Sequence, residues 1–248
     1  MFNRRLLVGI TAGVFASGLA LWAADAWVKK PYTEWNEKDI RQIMTESPWA
    51  LGVSVKWEFR GGTFPLRPTA PRDQPGIAET AAPNATAPIG AAPPLSQPPP
   101  RGGWPETLVR WQSSLAVQQA LVKMEYGEKA GSSPEAQKRL AANSAYYVIA
   151  VANLPVAQQP RDDEERKTML RSTTLTVPGK DHAIVASDMV FVSGTDGWGL
   201  GDARFLFPRD FDLTVEDKEA EFATKFGKTK VRARFNLRSM VINGALGL

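Results

Sequence analysis

The sequence predicts an α+β fold, in which a few short helices pack on one side of a mainly antiparallel sheet. Three observations predict it. Segments in which apolar and polar residues alternate, typical of half-buried strands, occupy much of the chain after residue 172. Short segments with helical spacing and their own start signals lie mostly before that point. A hydrophobic content of 43% over 248 residues is sufficient for a buried core.

The C-terminal part predicts a hairpin with a defined register. Apolar residues occupy alternate positions on both sides of a Gly-Lys dipeptide within residues 219–237. A two-residue turn at that dipeptide pairs Phe222 with Ala233 on the buried face and Glu221 with Arg234 on the other face. Polarity and register agree, because a slip of one residue would exchange the two faces.

The remaining elements are predicted from local patterns. Further strands are predicted at residues 54–59, 107–111, 146–151, 172–177, 189–192 and 203–207, the third of them central in its sheet. Helices are predicted after Asn36, with Asp39 in a capping box, over residues 114–123 before Gly127, from Ser133, and over residues 162–170. Asn243-Gly244 indicates a further tight turn.

A proline-rich segment interrupts the predicted elements. Residues 65–105 contain 12 of the 19 prolines, and this composition predicts a disordered Pro/Ala-rich loop over residues 65–103. The segment is either a linker between domains or a loop between two strands that pair with each other. The loop is favoured because residues 27–64 are too few to fold alone, so residues 27–64 and 104–248 are predicted to form one domain.

The N-terminus is typical of an export signal. Two adjacent arginines precede an uncharged apolar run at residues 6–24, and Ala24 and Ala26 supply small residues for cleavage. Residues 1–26 are therefore predicted to be a signal peptide. An uncleaved anchor is the alternative, because 19 apolar residues reach the length needed to span a bilayer. Both interpretations predict an extracytoplasmic protein, periplasmic or secreted.

The composition excludes several classes of chemistry. The sequence has no cysteine, which excludes disulfides, iron–sulfur clusters, thiol nucleophiles and zinc sites with Cys ligands. The 30 basic and 26 acidic residues are close to balanced, so a net charge of +4 does not by itself indicate nucleic-acid binding.

Two motifs resemble catalytic features but have simpler explanations. His182 is the sole histidine, lies in a predicted turn and is not accompanied by a Gly-x-Ser-x-Gly motif, so a solvated turn is predicted. The acidic residues 162–165 are adjacent in sequence and do not face one another on a helix. Their position suits the positive end of a helix dipole.

The glycine-rich residues 194–202 resemble a phosphate-binding loop only superficially. They lead into a strand and not into a helix N-terminus, so the dipole that would hold a phosphate is missing. A long hairpin is predicted, with Asp196 and Asp202 as turn residues. Trp198 is a candidate contact for a ligand or a membrane, and the alternative is a tryptophan folded over the core.

A basic stripe lies on the predicted exposed face of the C-terminal hairpin; it consists of Lys228, Lys230, Arg232, Arg234 and Arg238. A solvated sheet face is the simplest interpretation. The functional alternative is contact with an anionic envelope polymer or with lipid headgroups, through Lys230, Arg232 and Arg234. The stripe has no interleaved exposed aromatic residues, which disfavours nucleic acid as the partner.

Four motifs together resemble an uncharacterised family of exported proteins from soil bacteria. They are Lys30-Pro31-Tyr32-x-x-Trp35, Ser47-Pro48-Trp49-Ala50, Asp217-Lys218-Glu219-x-Glu221-Phe222 and Phe235-x-Leu237-x-x-Met240-Val241-x-x-Gly244. The resemblance covers most of the chain after the signal except the proline-rich segment. It implies no known activity and no site residues.

These patterns predict a non-catalytic envelope or secreted protein that binds a partner protein, an anionic polymer or a membrane surface, through a sheet face or through the proline-rich loop. No catalytic residue, cofactor or metal ligand is predicted. Two alternatives remain open: a hydrolase built on carboxylates and hydroxyls, whose sites leave no local spacing signature, and a membrane-anchored structural domain.

Overall fold

The computed structural model describes residues 26–57, 105–142, 144–194 and 199–248. Their helices are α1 (Ala26–Lys29), α2 (Glu37–Thr45), α3 (Leu115–Tyr126), α4 (Pro134–Ala141) and α5 (Asp163–Arg171). Their strands are β1 (Ala50–Val53), β2 (Thr107–Trp111), β3 (Tyr146–Pro155), β4 (Thr174–Thr176), β5 (Ile184–Val185), β6 (Asp188–Ser193), β7 (Leu200–Pro208), β8 (Glu219–Phe226), β9 (Thr229–Asn236), β10 (Val241–Ile242) and β11 (Ala245–Leu246). This combination confirms the α+β class.

The larger strands form two antiparallel sheets. The first sheet has the order β1-β2-β3-β7-β6, and the second has the order β5-β4-β8-β9. Strand β3 is the middle strand of the first sheet, as predicted for residues 146–151. Strands β6 and β7 are antiparallel neighbours in it, which is the pairing that the predicted hairpin requires, and residues 195–198 between them lie outside the described residues.

Aromatic side chains fill the space between the two sheets. The ring centroids of Trp111 and Phe235 lie 5.0 Å apart, and Phe222 contacts both Phe205 and Phe207 at 5.8 and 6.1 Å. Fully burying one such ring contributes roughly 1.5–3 kcal/mol. The alternating apolar residues therefore stabilise a layer shared by both sheets.

The C-terminal hairpin has the predicted register. Strands β8 and β9 pair Phe222 with Ala233 and Glu221 with Arg234. Phe222 is fully buried, whereas Arg234 is exposed. The turn between the strands uses Gly227 at a φ of 58°, a left-handed conformation that glycine adopts without steric cost.

The tight turn predicted near the C-terminus is also present. Asn243 and Gly244 have φ values of 53° and 80° and connect β10 to β11. Positive φ at both central residues is the requirement of the hairpin turn that Asn-Gly favours.

Local capping signals define the helix starts. The Asn36 side chain accepts a hydrogen bond from the Asp39 backbone N–H at 3.0 Å, and Asp39 accepts one from the Asn36 N–H at 2.8 Å. Ser133 and Asp162 cap α4 and α5 in the same manner. Gly127 ends α3. These four helix predictions are confirmed, since each depends on contacts within a few residues.

The strand predicted at residues 54–59 is wrong over residues 54–57, and residues 58 and 59 lie outside the described residues. Strand β1 occupies Ala50–Val53, and residues 54–57 are not in a strand. Its partner β2 has only five residues, and the pairing ends at Val53 with Thr107. Trp57 then turns to the second sheet, where it contacts Phe226 at 5.7 Å.

The strands on either side of the proline-rich segment pair with each other, because β1 and β2 are antiparallel neighbours. This pairing is what the loop interpretation requires. Residues 65–103 themselves lie outside the described residues, and so does the predicted signal segment before Ala26.

The first described helix, α1, packs on the core through a buried tryptophan. Trp27 in α1 is 6% exposed and packs edge-on against Trp49 at 5.4 Å. No helix within the described ranges is long and apolar enough to cross a membrane.

Candidate functional site

The outer face of the β8–β9 hairpin carries four exposed basic side chains close to its turn. We call them the basic turn cluster: Lys225, Lys228, Lys230 and Arg232. Lys225 lies directly opposite Lys230 in the antiparallel register, and Arg232 lies opposite Ala223. No side chain of the cluster forms an ion pair or hydrogen bond with another described residue.

The basic stripe predicted from the sequence is divided by the partner strand. Arg234 donates a hydrogen bond to Glu221 at 3.1 Å and lies 4.0 Å from Glu219. Hydrogen bonding to Glu221 and the charge of Glu219 raise the pKa of Arg234. The positive charge of Arg234 is therefore balanced by two carboxylates of β8, whereas Lys230 and Arg232 have no acidic partner among the described residues.

Lys225 is the member of the cluster that sequence reasoning missed. It lies on the partner strand, so it is not part of the sequential stripe. The signal was present in the predicted register, because the pairing of Glu221 with Arg234 also places Lys225 opposite Lys230. Trp198, the other candidate contact, lies outside the described residues.

Acidic residues approach the hairpin turn from α5. A cleft of about 500 Å³ lies between the start of this helix and the turn, lined in part by Asp162, Glu164 and Lys225. Asp162 caps the helix by accepting a hydrogen bond from the Glu165 N–H at 2.8 Å, and Lys167 pairs with Glu164. The acids in this cleft are thus neighbours on one helix start, as predicted.

The outer face of the first sheet contains a second group of charges. Asp202 is in β7 and lies 3.6 Å from Arg110 of β2. The prediction of Asp202 as a turn residue is therefore wrong, because β7 begins at Leu200 and takes Asp202 into the pairing with Val192. Arg204 follows on the same face of β7.

His182 lies at the surface with 61% of its side chain exposed, 3.7 Å from the partly exposed Asp210. Its ring contacts Phe211 edge-on at 5.8 Å. Its exposure and its position in a turn agree with the predicted solvated turn. Within the described ranges no three His, Cys, Asp or Glu side chains lie together as metal ligands would.

Sequence reasoning also missed a groove between α2 and α3. Its volume is about 770 Å³, and its apolar lining includes Trp35, Ile40, Met44 and Met124. Met124 is 62% exposed. Lys123 lies beside the groove and donates to the Thr33 carbonyl at 2.7 Å. The groove exists only because the two helices pack together, so no local pattern could predict it.

Comparison with known proteins returns no match: no family model fits the sequence, and no curated protein or solved structure is significantly similar to it.

Proposed function

We propose that this protein is an exported, non-catalytic binding protein that attaches to an anionic polymer of the cell envelope through its basic turn cluster. The observation that carries the proposal is the cluster itself: three exposed bases on one sheet face and Lys228 in the adjoining turn, without an acidic partner among the described residues. Lys225 and Lys230 stand directly opposite each other, an arrangement that costs stability in the free protein.

The spacing of the bases suits a polymer better than a single small anion. Alternate residues of one strand project from the same face about 6.8 Å apart, so Lys230 and Arg232 form a row with that repeat. A chain of phosphate or carboxylate groups can neutralise several of these charges together. The hairpin is rigid because Phe222, Phe226 and Phe235 are fully buried beneath it, which lowers the entropic cost of binding.

Export is part of the proposal and is supported by the sequence of residues 1–26. Their arginine pair, apolar run and small residues before the cleavage position are typical of a secretory signal. An extracytoplasmic location would bring the basic turn cluster to envelope polymers and away from cytoplasmic nucleic acid.

Protection of a sheet edge is the competing explanation of the cluster. Strand β9 is the last strand of the second sheet, and charged side chains on edge strands discourage pairing between molecules. This explanation predicts that loss of the charges causes association of the protein without a change in polymer binding. The two explanations are therefore separable by experiment.

The test measures binding to long-chain polyphosphate and to poly-glutamate by fluorescence anisotropy at several salt concentrations. The double variant Lys230→Gln/Arg232→Gln should bind about thirtyfold more weakly, since each basic residue near an anionic surface contributes about 1 kcal/mol and the variant removes two. The matched control is Lys129→Gln/Lys138→Gln, which removes the same charge from exposed positions elsewhere. The control should stay within about twofold of the parent.

Equal losses in the two double variants would show that binding follows net charge alone and would reject the cluster as a site. Unchanged binding together with new dimers or aggregates in the cluster variant would favour edge protection. Binding to vesicles with anionic lipid but not to either polymer would replace the polymer with a membrane surface.

A further inference from the structure

Two arginines flank one alanine on the outer face of the first sheet. The register pairs Arg110 of β2 with Ala150 of β3, and Ala150 with Arg204 of β7. All three side chains project away from the second sheet, opposite in sense to Trp111 and Phe205, which face it. Ala150 between them is fully buried.

The first guanidinium is held by protein groups. Arg110 is 8% exposed; its Nε donates to the Gln112 side-chain oxygen at 3.0 Å and an Nη donates to the Met44 carbonyl at 3.4 Å. The other Nη lies 3.6 Å from the Asp202 carboxylate. Arg110 thereby joins the end of α2 to β7.

The second guanidinium lacks such partners. The Nε of Arg204 is buried and has no hydrogen-bond partner among the described residues, and no described carboxylate forms an ion pair with this side chain. Asp202 is the one described carboxylate in contact with the pair, and it is engaged by Arg110. Asp188 lies further along the same face, but it pairs with Arg166 of α5, so Arg204 has no carboxylate of its own among the described residues.

The positive charge of Arg204 repels that of Arg110. Burial lowers the pKa of its guanidinium, Asp202 raises it, and the charge of Arg204 lowers it again. Arginine stays protonated in proteins, so the repulsion is not relieved by loss of a proton. An additional anion near Arg204 would relieve it.

An apolar strip adjoins the unpaired arginine. Val190 of the edge strand β6 is the cross-strand partner of Arg204, and Val192 lies on the same face two residues further on. Their exposed fractions are 49% and 38%. A positive charge and an exposed hydrocarbon surface thus lie side by side at the rim of the sheet.

We propose that Arg204, supported by Arg110, binds the carboxylate or phosphate head of an amphiphilic ligand whose hydrocarbon part lies along Val190 and Val192. A guanidinium presents paired N–H donors that match the oxygens of either head group. The hydrocarbon part gains affinity by covering apolar surface. This site is separate from the basic turn cluster, which lies on the other sheet.

A structural role for Arg204 is the alternative: its aliphatic stem covers apolar surface of the sheet, while its charged end remains in water. That role requires no ligand, and it predicts that Arg204 affects stability alone.

The experiment titrates the whole protein with octanoate, octyl phosphate and acetate, followed by NMR chemical shifts. Octanoate should bind saturably and more tightly than acetate. Arg204→Gln should weaken octanoate binding at least tenfold, whereas Arg171→Gln, the control with the same charge change at an exposed position of α5, should stay within twofold. Val190→Ser should weaken octanoate binding about threefold and leave acetate binding unchanged. The tighter of octanoate and octyl phosphate identifies the preferred head group.

Absence of saturable binding to the parent protein would overturn the proposal, and so would an unchanged affinity in folded Arg204→Gln. If Arg204→Gln does not fold, Arg204→Lys serves as the second variant. It keeps the charge but loses the paired donors, so the affinity for octanoate should fall about threefold to tenfold; equal affinity in the lysine variant would also overturn the proposal.

Discussion

Replacement of Phe235 by alanine tests the register on which the basic turn cluster depends. The Phe235 ring is fully buried between the two sheets, edge-on to Trp111 with centroids 5.0 Å apart. The substitution removes the six ring carbons from this layer and leaves a cavity, because Trp111 and the neighbouring strands are held by their own backbone pairing and cannot close over it.

Truncation of a buried phenylalanine to alanine costs about 3–5 kcal/mol, and an edge-on aromatic pair contributes about 0.5–1.5 kcal/mol beyond area burial. Both apply at Phe235, so we expect a loss of about 4 kcal/mol in the free energy of unfolding. For a domain of this size that loss lowers the melting temperature by roughly 8–16 °C.

The assay is equilibrium unfolding in urea together with calorimetry, with Arg234→Ala as the neighbouring control. Arg234 has 63% of its side chain exposed and loses only surface contacts to Glu221 and Glu219, so its unfolding midpoint should change little. A larger loss for Arg234→Ala than for Phe235→Ala would refute the register. The basic turn cluster would then face the core, and its binding role would have to be withdrawn.

Three further predictions concern the rest of the chain. The exported protein should begin at Trp27, and its intact mass should match residues 27–248; a mass that includes residues 1–26 would favour the anchor. Replacing residues 65–103 with a short Gly/Ser linker should change the melting temperature by a few degrees at most, because β1 and β2 already pair; a larger loss would indicate that the segment packs on the domain. The pKa of Asp39 is lowered because hydrogen bonds from Lys30 and the Asn36 N–H outweigh its burial, which acts in the opposite direction. Its contribution to stability is therefore present above the unfolded-state pKa of about 3.9 and lost as pH falls through the folded-state value. In Asp39→Asn the free energy of unfolding, measured by urea titration at several acidic pH values, should therefore fall less steeply with decreasing pH than in the parent.

Elements that depend on neighbouring residues were predictable from the sequence alone. The hairpin register follows from a period of two and one turn dipeptide, and the helix starts follow from side chains that reach backbone groups three residues away. Lys230 and Arg232 were identifiable as exposed bases for the same reason, since the alternation assigns each residue of β9 to a face.

Elements that depend on partners distant in sequence were not predictable. The alternating pattern at residues 54–59 predicted a strand, but the length of β2 limits pairing to Ala50–Val53. Local alternation also could not reveal that the strands divide into two sheets packed face to face. Alternation records only that one face is buried, and not what buries it.

The two candidate sites differ in the same respect. The sequence determined which residues of the C-terminal hairpin face solvent, because both strands and their turn are contiguous. The same predicted register also pairs Arg234 with Glu221 and places Lys225 opposite Lys230, and the structure has both pairings. Tertiary structure alone placed Arg110 and Arg204 on either side of Ala150, because the strand order β2-β3-β7 brings together residues about 40 and 54 positions apart, and such long-range pairing leaves no local signal.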